Sequence, residues 1–184
     1  MNILKTKIPD VIIIKPSINI DERGYFMECF KQDFFNKSTG YEINFIQENE
    51  SQSKKGVLRG LHYQLQPYSQ SKLVRVVKGS VLDVAVDLRK SSATFGHHVI
   101  EELNDANKHQ LFIPQGFAHG FIVLSEMAII SYRVDNYYSQ EHERGIAFDD
   151  KQLNINWQLP LKEVSLSQKD INYPQLSDTK DFFT

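Results

Sequence analysis

The chain of 184 residues contains one cysteine and has no long apolar run. Cys29 has no partner for an intrachain disulfide, so nothing indicates an oxidising compartment. The apolar run 11–14 lies between Asp10 and Lys15 and is too short for the hydrophobic region of a signal peptide. No stretch reaches the roughly 20 apolar residues that a transmembrane helix needs. These absences lead us to expect a cytoplasmic protein without a membrane partner.

The chain also lacks an excess of positive charge. Its 21 Lys and Arg residues are balanced by 23 Asp and Glu residues, which gives a formal net charge of −2. This balance provides no general attraction to nucleic acid or to an anionic membrane, so neither is expected as a partner. The hydrophobic fraction is 41 %, and the length suits one full core. We therefore expect residues 1–184 to form a single domain.

Short strand patterns are abundant, and no helix-length periodicity separates them. Strands are predicted over 11–15, 25–30, 44–49, 57–64, 72–77, 80–88, 99–103, 110–113, 120–124 and 127–134. A short helix is predicted over 31–38, with Phe30, Phe34 and Phe35 as its buried face. The tail 159–184 is expected to pack over the strands with little regular structure. This pattern predicts an all-β fold, an antiparallel jelly-roll barrel with short helical segments at its periphery.

Two histidines lie in otherwise apolar strand patterns. A lone histidine in such a place is usually a core residue satisfied by a hydrogen bond. However, the motifs Gly-x5-His over 56–62 and Pro-x-Gly-x2-His over 114–119 resemble the two halves of the cupin signature. Metal-binding cupins continue the first half with a second histidine and a glutamate. Here the residue two positions after His62 is Gln64. His62, His119 and a glutamine make a poor set of ligands for a divalent metal, so no metal is predicted.

Basic side chains also occur on or beside the apolar strands. The simplest interpretation of Arg23, Arg59, Lys72 and Arg75 is that their stems cover apolar surface while their charges reach water. The functional alternative is recognition of a diphosphate, for which arginine offers bidentate hydrogen bonds. Arg59 lies three positions before His62, so a regular strand would point the two to opposite faces. A bulge at the intervening glycine would change this.

The segment 131–138 is rich in tyrosine. These rings could fill the mouth of a barrel, which is the structural interpretation. Alternatively, Tyr132 or Tyr138 could supply a phenol as a proton donor, or a ring on which a nucleobase stacks.

Longer motifs resemble one family, the dTDP-4-dehydrorhamnose 3,5-epimerases, which are metal-free enzymes of the cupin type. The residues that carry the resemblance are 56–64 (Gly-Val-Leu-Arg-Gly-Leu-His-Tyr-Gln), 113–121 (Ile-Pro-Gln-Gly-Phe-Ala-His-Gly-Phe), Arg23-Gly24, Gln47-x-Asn49, Lys72, Tyr132, Tyr138, Glu143 and 167–170 (Ser-Gln-Lys-Asp). They occur in order from about residue 12 to residue 170. Glu50 departs from the family pattern, and so does the tail after Asp170.

The resemblance implies a function. The substrate would be dTDP-4-dehydro-6-deoxy-D-glucose, and the product dTDP-4-dehydro-L-rhamnose, a precursor in dTDP-L-rhamnose and surface polysaccharide (O-antigen) biosynthesis. It implies no cofactor, and a homodimer in which N-terminal strands help complete the partner's site. His62 would be the base, paired with Asp170; Tyr132 would be the proton donor on the other sugar face; Lys72 would lie near the C4 oxygen. The implied substrate-binding residues are Arg23, Glu28, Gln47, Glu48, Asn49, Arg59, His119, Tyr138, Glu143 and Lys169.

The implied chemistry is physically sensible. A C4 ketone acidifies the hydrogens at C3 and C5, because the carbanion spreads onto oxygen as an enolate. Epimerisation needs a base on one face, an acid on the other and a cation or hydrogen-bond donor at the oxygen. The sequence leaves alternatives open: a 3-epimerase, a 5-epimerase or a 3,4-ketoisomerase, and, in other classes, a metal-binding cupin or a non-catalytic sugar-binding cupin.

Overall fold

Strands dominate the regular structure. The computed structural model describes residues 2–184. The strands are β1 Asn2–Lys5, β2 Ile12–Lys15, β3 Ile18–Asp21, β4 Gly24–Met27, β5 Gln47–Lys54, β6 Leu58–Gln64, β7 Lys72–Lys78, β8 Ser80–Asp87, β9 His98–Asn104, β10 Gln110–Ile113, β11 Phe117–Val123, β12 Met127–Val134 and β13 Glu143–Gly145. The helices α1 Gln32–Thr39 and α2 Gln168–Ile171 are short, and 3-10 turns span Leu161–Glu163 and Leu176–Asp178. Within residues 2–184, no helix has the length and apolar character needed to cross a membrane.

Two sheets carry the fold. One has six strands in the order β1-β2-β10-β7-β12-β5, and the other has five in the order β13-β6-β11-β8-β9. The pairings between these strands are antiparallel. Strands β3 and β4 form a separate hairpin. The prediction of an all-β antiparallel barrel with short peripheral helices is confirmed.

The main core lies between the two sheets. Val74 and Ile130 from the larger sheet pack with Phe121 and Leu103 from the smaller one, and all four are at most 5 % exposed. Successive strand residues point to opposite faces, so each sheet also has an outer face to cover. The outer face of the smaller sheet buries Leu82 and other apolar side chains under the C-terminal segment. The predicted packing of the tail over the barrel is therefore confirmed.

The short helix predicted over 31–38 is present as α1, and it covers the outer face of the larger sheet. Phe35 is 2 % exposed and packs against Phe112, with ring centroids 5.0 Å apart. Phe30 joins this cluster, whereas Phe34 is only half-buried. Consecutive helical residues lie about 100° apart around the axis, so only one of two adjacent phenylalanines can face the sheet. The helix ends at Gly40, which adopts the left-handed conformation with φ 77.

Strand β5 begins and ends later than predicted, at Gln47 and Lys54 rather than over 44–49. Its sequence is wholly polar, which hides it from a search for apolar alternation. It forms because all eight residues pair with β12. Its inward-facing residues, Gln47, Asn49 and Ser51, line the cavities described below.

Candidate active site

A cavity of about 680 Å³ opens between the two sheets. The smaller sheet contributes Arg59 and His62 from β6 and His119 from β11. The larger sheet contributes Lys72 from β7 and Tyr132 from β12. An adjoining cavity of about 320 Å³ shares His62, Lys72 and Tyr132 and adds Gln47, Asn49 and Gln70. His62, Lys72, His119 and Tyr132 therefore all point into the space between the sheets.

A bulge in β6 brings Arg59 and His62 to the same face. His119 pairs with His62 and Phe121 pairs with Arg59, so three steps along β6 match two steps along β11. Gly60 makes the irregularity possible: its φ is 136, and an added Cβ would lie 2.5 Å from Gly120 Cα. The Arg59 Nε atom donates to Ser53 Oγ at 3.0 Å, which directs the guanidinium along the cavity wall.

The half-buried His62 pairs with the buried carboxylate of Asp170. Its Nε2 lies 2.6 Å from Oδ1 of Asp170, which is 3 % exposed. Ser167 caps helix α2 by accepting from the Asp170 amide, and this fixes the carboxylate. Burial alone would raise the pKa of Asp170, but the hydrogen bonds from His62 and Ser167, and the attraction to His62, hold it below its usual range. With Asp170 ionised, Nε2 must donate, so the other ring nitrogen is left to accept a proton.

A second histidine–aspartate pair lies deeper. Nε2 of His119 is 3.0 Å from both carboxylate oxygens of Asp83, which is fully buried on β8. Burial lowers the pKa of His119, Lys72 and His62 lower it further, and Asp83 opposes the shift. His119 is therefore a neutral donor to Asp83. Asp83 was not among the predicted site residues, although a carboxylate within the apolar strand 80–88 was a usable signal.

Lys72 supplies positive charge to the cavity. Burial lowers its pKa to about 8, against the opposing attraction of Asp83 and Glu143. The amine is therefore charged at neutral pH, yet it loses its proton far more readily than an ordinary lysine.

Tyr132 comes from the larger sheet, whereas His62 comes from the smaller one. Burial raises the pKa of Tyr132, with Glu143 adding to the shift and with Arg59 and a hydrogen bond from Asn49 opposing it. The phenol therefore keeps its proton at neutral pH. On β5, Gln47 Nε2 donates to Asn49 Oδ1 at 2.8 Å, so these two amides form one polar edge beside the tyrosine.

An ionic cluster lies at the rim. Lys169 Nζ contacts both carboxylate oxygens of Glu143, at 2.8 and 2.9 Å, and the Tyr138 hydroxyl donates to Glu143 Oε2 at 2.9 Å. Burial would raise the pKa of Glu143, but these hydrogen bonds and nearby charges hold it below its usual value. Lys169 lies next to Asp170, so the cluster joins the rim to the His62 pair.

Three of the candidate binding residues lie away from this cavity. Glu48 alternates with Gln47 and Asn49 along β5 and therefore points to the outer face, where its oxygens accept from Ser131 Oγ at 2.7 Å and Arg133 Nε at 3.1 Å. This placement corrects the expectation for Glu48. Arg23 lies on the β3–β4 hairpin, paired with Asp21 at 2.6 Å, and Glu28 is exposed after that hairpin. Neither side chain lines the cavity of its own chain.

The geometry can perform proton transfer on either side of a bound ring. The His62–Asp170 pair lies on the wall formed by the smaller sheet, and the neutral phenol of Tyr132 lies on the wall formed by the larger sheet, as does the cation of Lys72. Three cationic side chains, Arg59, Lys72 and Lys169, line the same cavity and suit an anionic ligand. In residues 2–184, no cluster of three or more His, Cys, Asp or Glu side chains is arranged to hold a metal ion.

The family model described as dTDP-4-dehydrorhamnose 3,5-epimerase matches residues 5–178. A dTDP-4-dehydrorhamnose 3,5-epimerase from Shigella flexneri is 55% identical over 183 residues, covering 100% of this chain and 99% of the relative. This chain belongs to the dTDP-4-dehydrorhamnose 3,5-epimerase family. It is an isomerase with a cupin-like fold, and the resemblance seen in the sequence motifs is confirmed.

Solved structures of family members agree with this assignment. The crystal structure of dTDP-4-dehydrorhamnose 3,5-epimerase from Elizabethkingia anophelis has a TM-score of 0.94 at 47% identity and covers 99% of both chains. The epimerase from Legionella pneumophila in complex with dTDP-4-keto-L-rhamnose also has a TM-score of 0.94 at 47% identity, covering 97% of this chain and 94% of that one.

Proposed function

We propose that this enzyme converts dTDP-4-dehydro-6-deoxy-D-glucose to dTDP-4-dehydro-L-rhamnose by inverting C3 and C5. The observation that carries the proposal is the placement of the His62–Asp170 pair and Tyr132 on opposite walls of one cavity, which Lys72 also lines. The ligand-bound family member supports the same class of sugar nucleotide.

Each inversion is a pair of proton transfers. The imidazole of His62 removes the proton next to the C4 ketone, and the C–H electron pair moves onto the C4 oxygen as an enolate. The positive charge of Lys72 stabilises that oxygen. Tyr132 then donates its proton to the carbon from the opposite face, and the tyrosinate and the imidazolium return to their starting states by exchange with solvent. Asp170 stabilises the imidazolium between the two transfers.

The diphosphate and the nucleoside need their own contacts. Arg59 and Lys169 offer charge-assisted hydrogen bonds to phosphate oxygens, and Tyr138 offers an exposed ring to the base. His119, Gln47, Asn49 and Glu143 present polar groups to the sugar. These residues form the proposed binding site.

The test is NMR of the purified protein with dTDP-4-dehydro-6-deoxy-D-glucose in D2O. The proposal expects deuterium at both C3 and C5 and accumulation of the L-rhamno product. Deuterium at one carbon only would establish a monoepimerase, and a moved carbonyl would establish a ketoisomerase. Stoichiometric activating metal in the purified protein would favour a metal-dependent cupin instead.

A homodimer and a cytoplasmic location belong to the same proposal. The β3–β4 hairpin leaves Ile20, Tyr25 and Phe26 at 79%, 57% and 70% exposure, which is apolar surface that a second copy could cover. Arg23 on that hairpin would then reach the partner's cavity. A single sedimenting species with the mass of the monomer at micromolar concentration would contradict the dimer.

The two main apolar cores each draw on strands from different parts of the chain, which supports the proposal that residues 1–184 form a single domain.

A further inference from the structure

Tyr173 packs against the proposed base from outside the cavity. It follows helix α2, three residues after Asp170. Its ring meets His62 edge-on, with centroids 5.6 Å apart and planes at 71°. The residues that line the two cavities beside His62 do not include Tyr173 among those described. Its contact with the base is therefore separate from any contact with substrate.

A glycine makes room for this ring. Gly145 pairs directly with His62 across β13 and β6. A Cβ added at Gly145 would lie 2.4 Å from two ring carbons of Tyr173 and 2.5 Å from a third. The ring therefore lies flat over the backbone of the residue beside His62, in space that any other side chain would occupy.

The backbone holds Tyr173 from both sides. Before it, helix α2 is capped by Ser167, and the Asn172 amide donates to the Lys169 carbonyl at 3.1 Å. After it, the Ala147 amide donates to the Pro174 carbonyl at 2.8 Å. The ring is thus fixed relative to both Asp170 and strand β13.

The hydroxyl of Tyr173 is buried without a hydrogen-bond partner in the described chain. Burial raises the pKa of Tyr173, and the negative charges of Glu143 and Asp170 raise it further. The group is therefore neutral and is neither an acid nor an anchor. What this residue contributes is the shape of its ring.

We propose that Tyr173 is a positioning residue, whose ring holds the His62 imidazole against Asp170 and keeps water from the outer side of the pair. The inference rests on the proposed function, because it concerns the base of that reaction. Misplacing a reacting group by about 1 Å can cost roughly 100-fold in rate, so a ring that fixes the base has a large effect without touching substrate.

The test compares Tyr173→Ala and Tyr173→Phe with the parent enzyme. Tyr173→Ala should lower kcat by roughly 10- to 100-fold while KM and dTDP affinity stay at the parent values. Tyr173→Phe keeps the ring and removes an unpaired buried hydroxyl, so it should retain the parent kcat and melt at the same or a higher temperature. Ile171→Ala, at an exposed position in the same turn, is the matched control and should change neither kcat nor KM.

A substitution at Gly145 tests the contact between Tyr173 and His62 through the glycine that makes room for the ring. Gly145→Ala should displace the ring and lower kcat in the parent enzyme, but it should have little additional effect in Tyr173→Ala, where no ring is present to displace. Imidazole NMR signals of His62 should broaden in Tyr173→Ala and remain sharp in Tyr173→Phe.

A folded Tyr173→Ala enzyme with the parent kcat would overturn the proposal, and so would a Tyr173→Phe enzyme as impaired as Tyr173→Ala. If Tyr173→Ala does not fold, Gly145→Ala and Tyr173→Leu replace it in the comparison, and parent kcat values in these folded variants would overturn the proposal. An inactive parent enzyme would instead reject the proposed function, so the two failures are distinguishable.

Discussion

His62 and Asp170 share a hydrogen bond of 2.6 Å although they are 108 positions apart in the chain. The pair forms because helix α2, near the end of the fold, lies across strand β6. Asp170 is held from its own side by the Ser167 cap, so the imidazole has one preferred orientation. This arrangement makes the C-terminal segment part of the candidate active site.

Replacing Asp170 with asparagine should lower kcat by roughly 100-fold or more, because the amide neither stabilises the imidazolium nor fixes the tautomer. KM should change little, since the carboxylate is occupied by His62. The measurement is steady-state kinetics beside circular dichroism. A folded Asp170→Asn enzyme with the parent kcat would show that the pair is only structural.

Tyr132→Phe should separate exchange from inversion. His62 still removes the proton, but no donor lies on the opposite wall, so the proton returns to the face that it left. In D2O the variant should incorporate deuterium into unreacted substrate faster than it forms product, with product formation lower by about 10²–10⁴-fold. His62→Ala is the comparison, and it should lose both processes. Equal loss of exchange and product in Tyr132→Phe would contradict this division of roles.

The lowered pKa of Lys72 predicts a pH dependence. Burial brings the pKa to about 8, so the amine is positive below that pH and neutral above it. If the positive form stabilises the enolate, kcat should fall as the pH rises through about 8. Lys72→Met should be slower by roughly 10²–10³-fold and should lack this limb of the profile. A Lys72→Met enzyme with the same alkaline limb would assign it to another group.

The sequence predicted the barrel well because most of its strands are short, apolar and regularly interrupted. It predicted less about polar partners. Asp83 is a carboxylate in an apolar strand, but only the fold shows that it reaches His119 on the neighbouring strand. The bulge at Gly60 was recognised as an option, yet its occurrence depends on the close approach of Gly120. The contact of Tyr173 with His62 crosses from the tail to β6, which local sequence patterns do not encode.

Arg59 and Glu48 provide a contrast between a charged side chain inside the cavity and one outside it. Arg59 lines the cavity, whereas Glu48 lies on the outer face with Ser131 and Arg133. Arg59→Ala should weaken dTDP binding by roughly 1.5–3 kcal/mol, or about 10- to 100-fold in Kd, because it removes charge-assisted hydrogen bonds to phosphate. Isothermal titration calorimetry measures this directly.

Glu48→Gln is the matched control, since it changes one charge on the outer face of the larger sheet without altering the cavity. Its dTDP affinity should equal that of the parent. In the parent, hydrogen bonds from Ser131 and Arg133 lower the pKa of Glu48. Any stabilisation of the fold by these bonds is therefore present at pH values above the pKa of Glu48 in the unfolded chain, and it is lost as the pH falls through the pKa of Glu48 in the folded chain. The exposed pair contributes at most about 1 kcal/mol to unfolding, so only a small drop in melting temperature is expected. If Glu48→Gln weakened dTDP binding and Arg59→Ala did not, then Glu48 rather than Arg59 would contact the ligand.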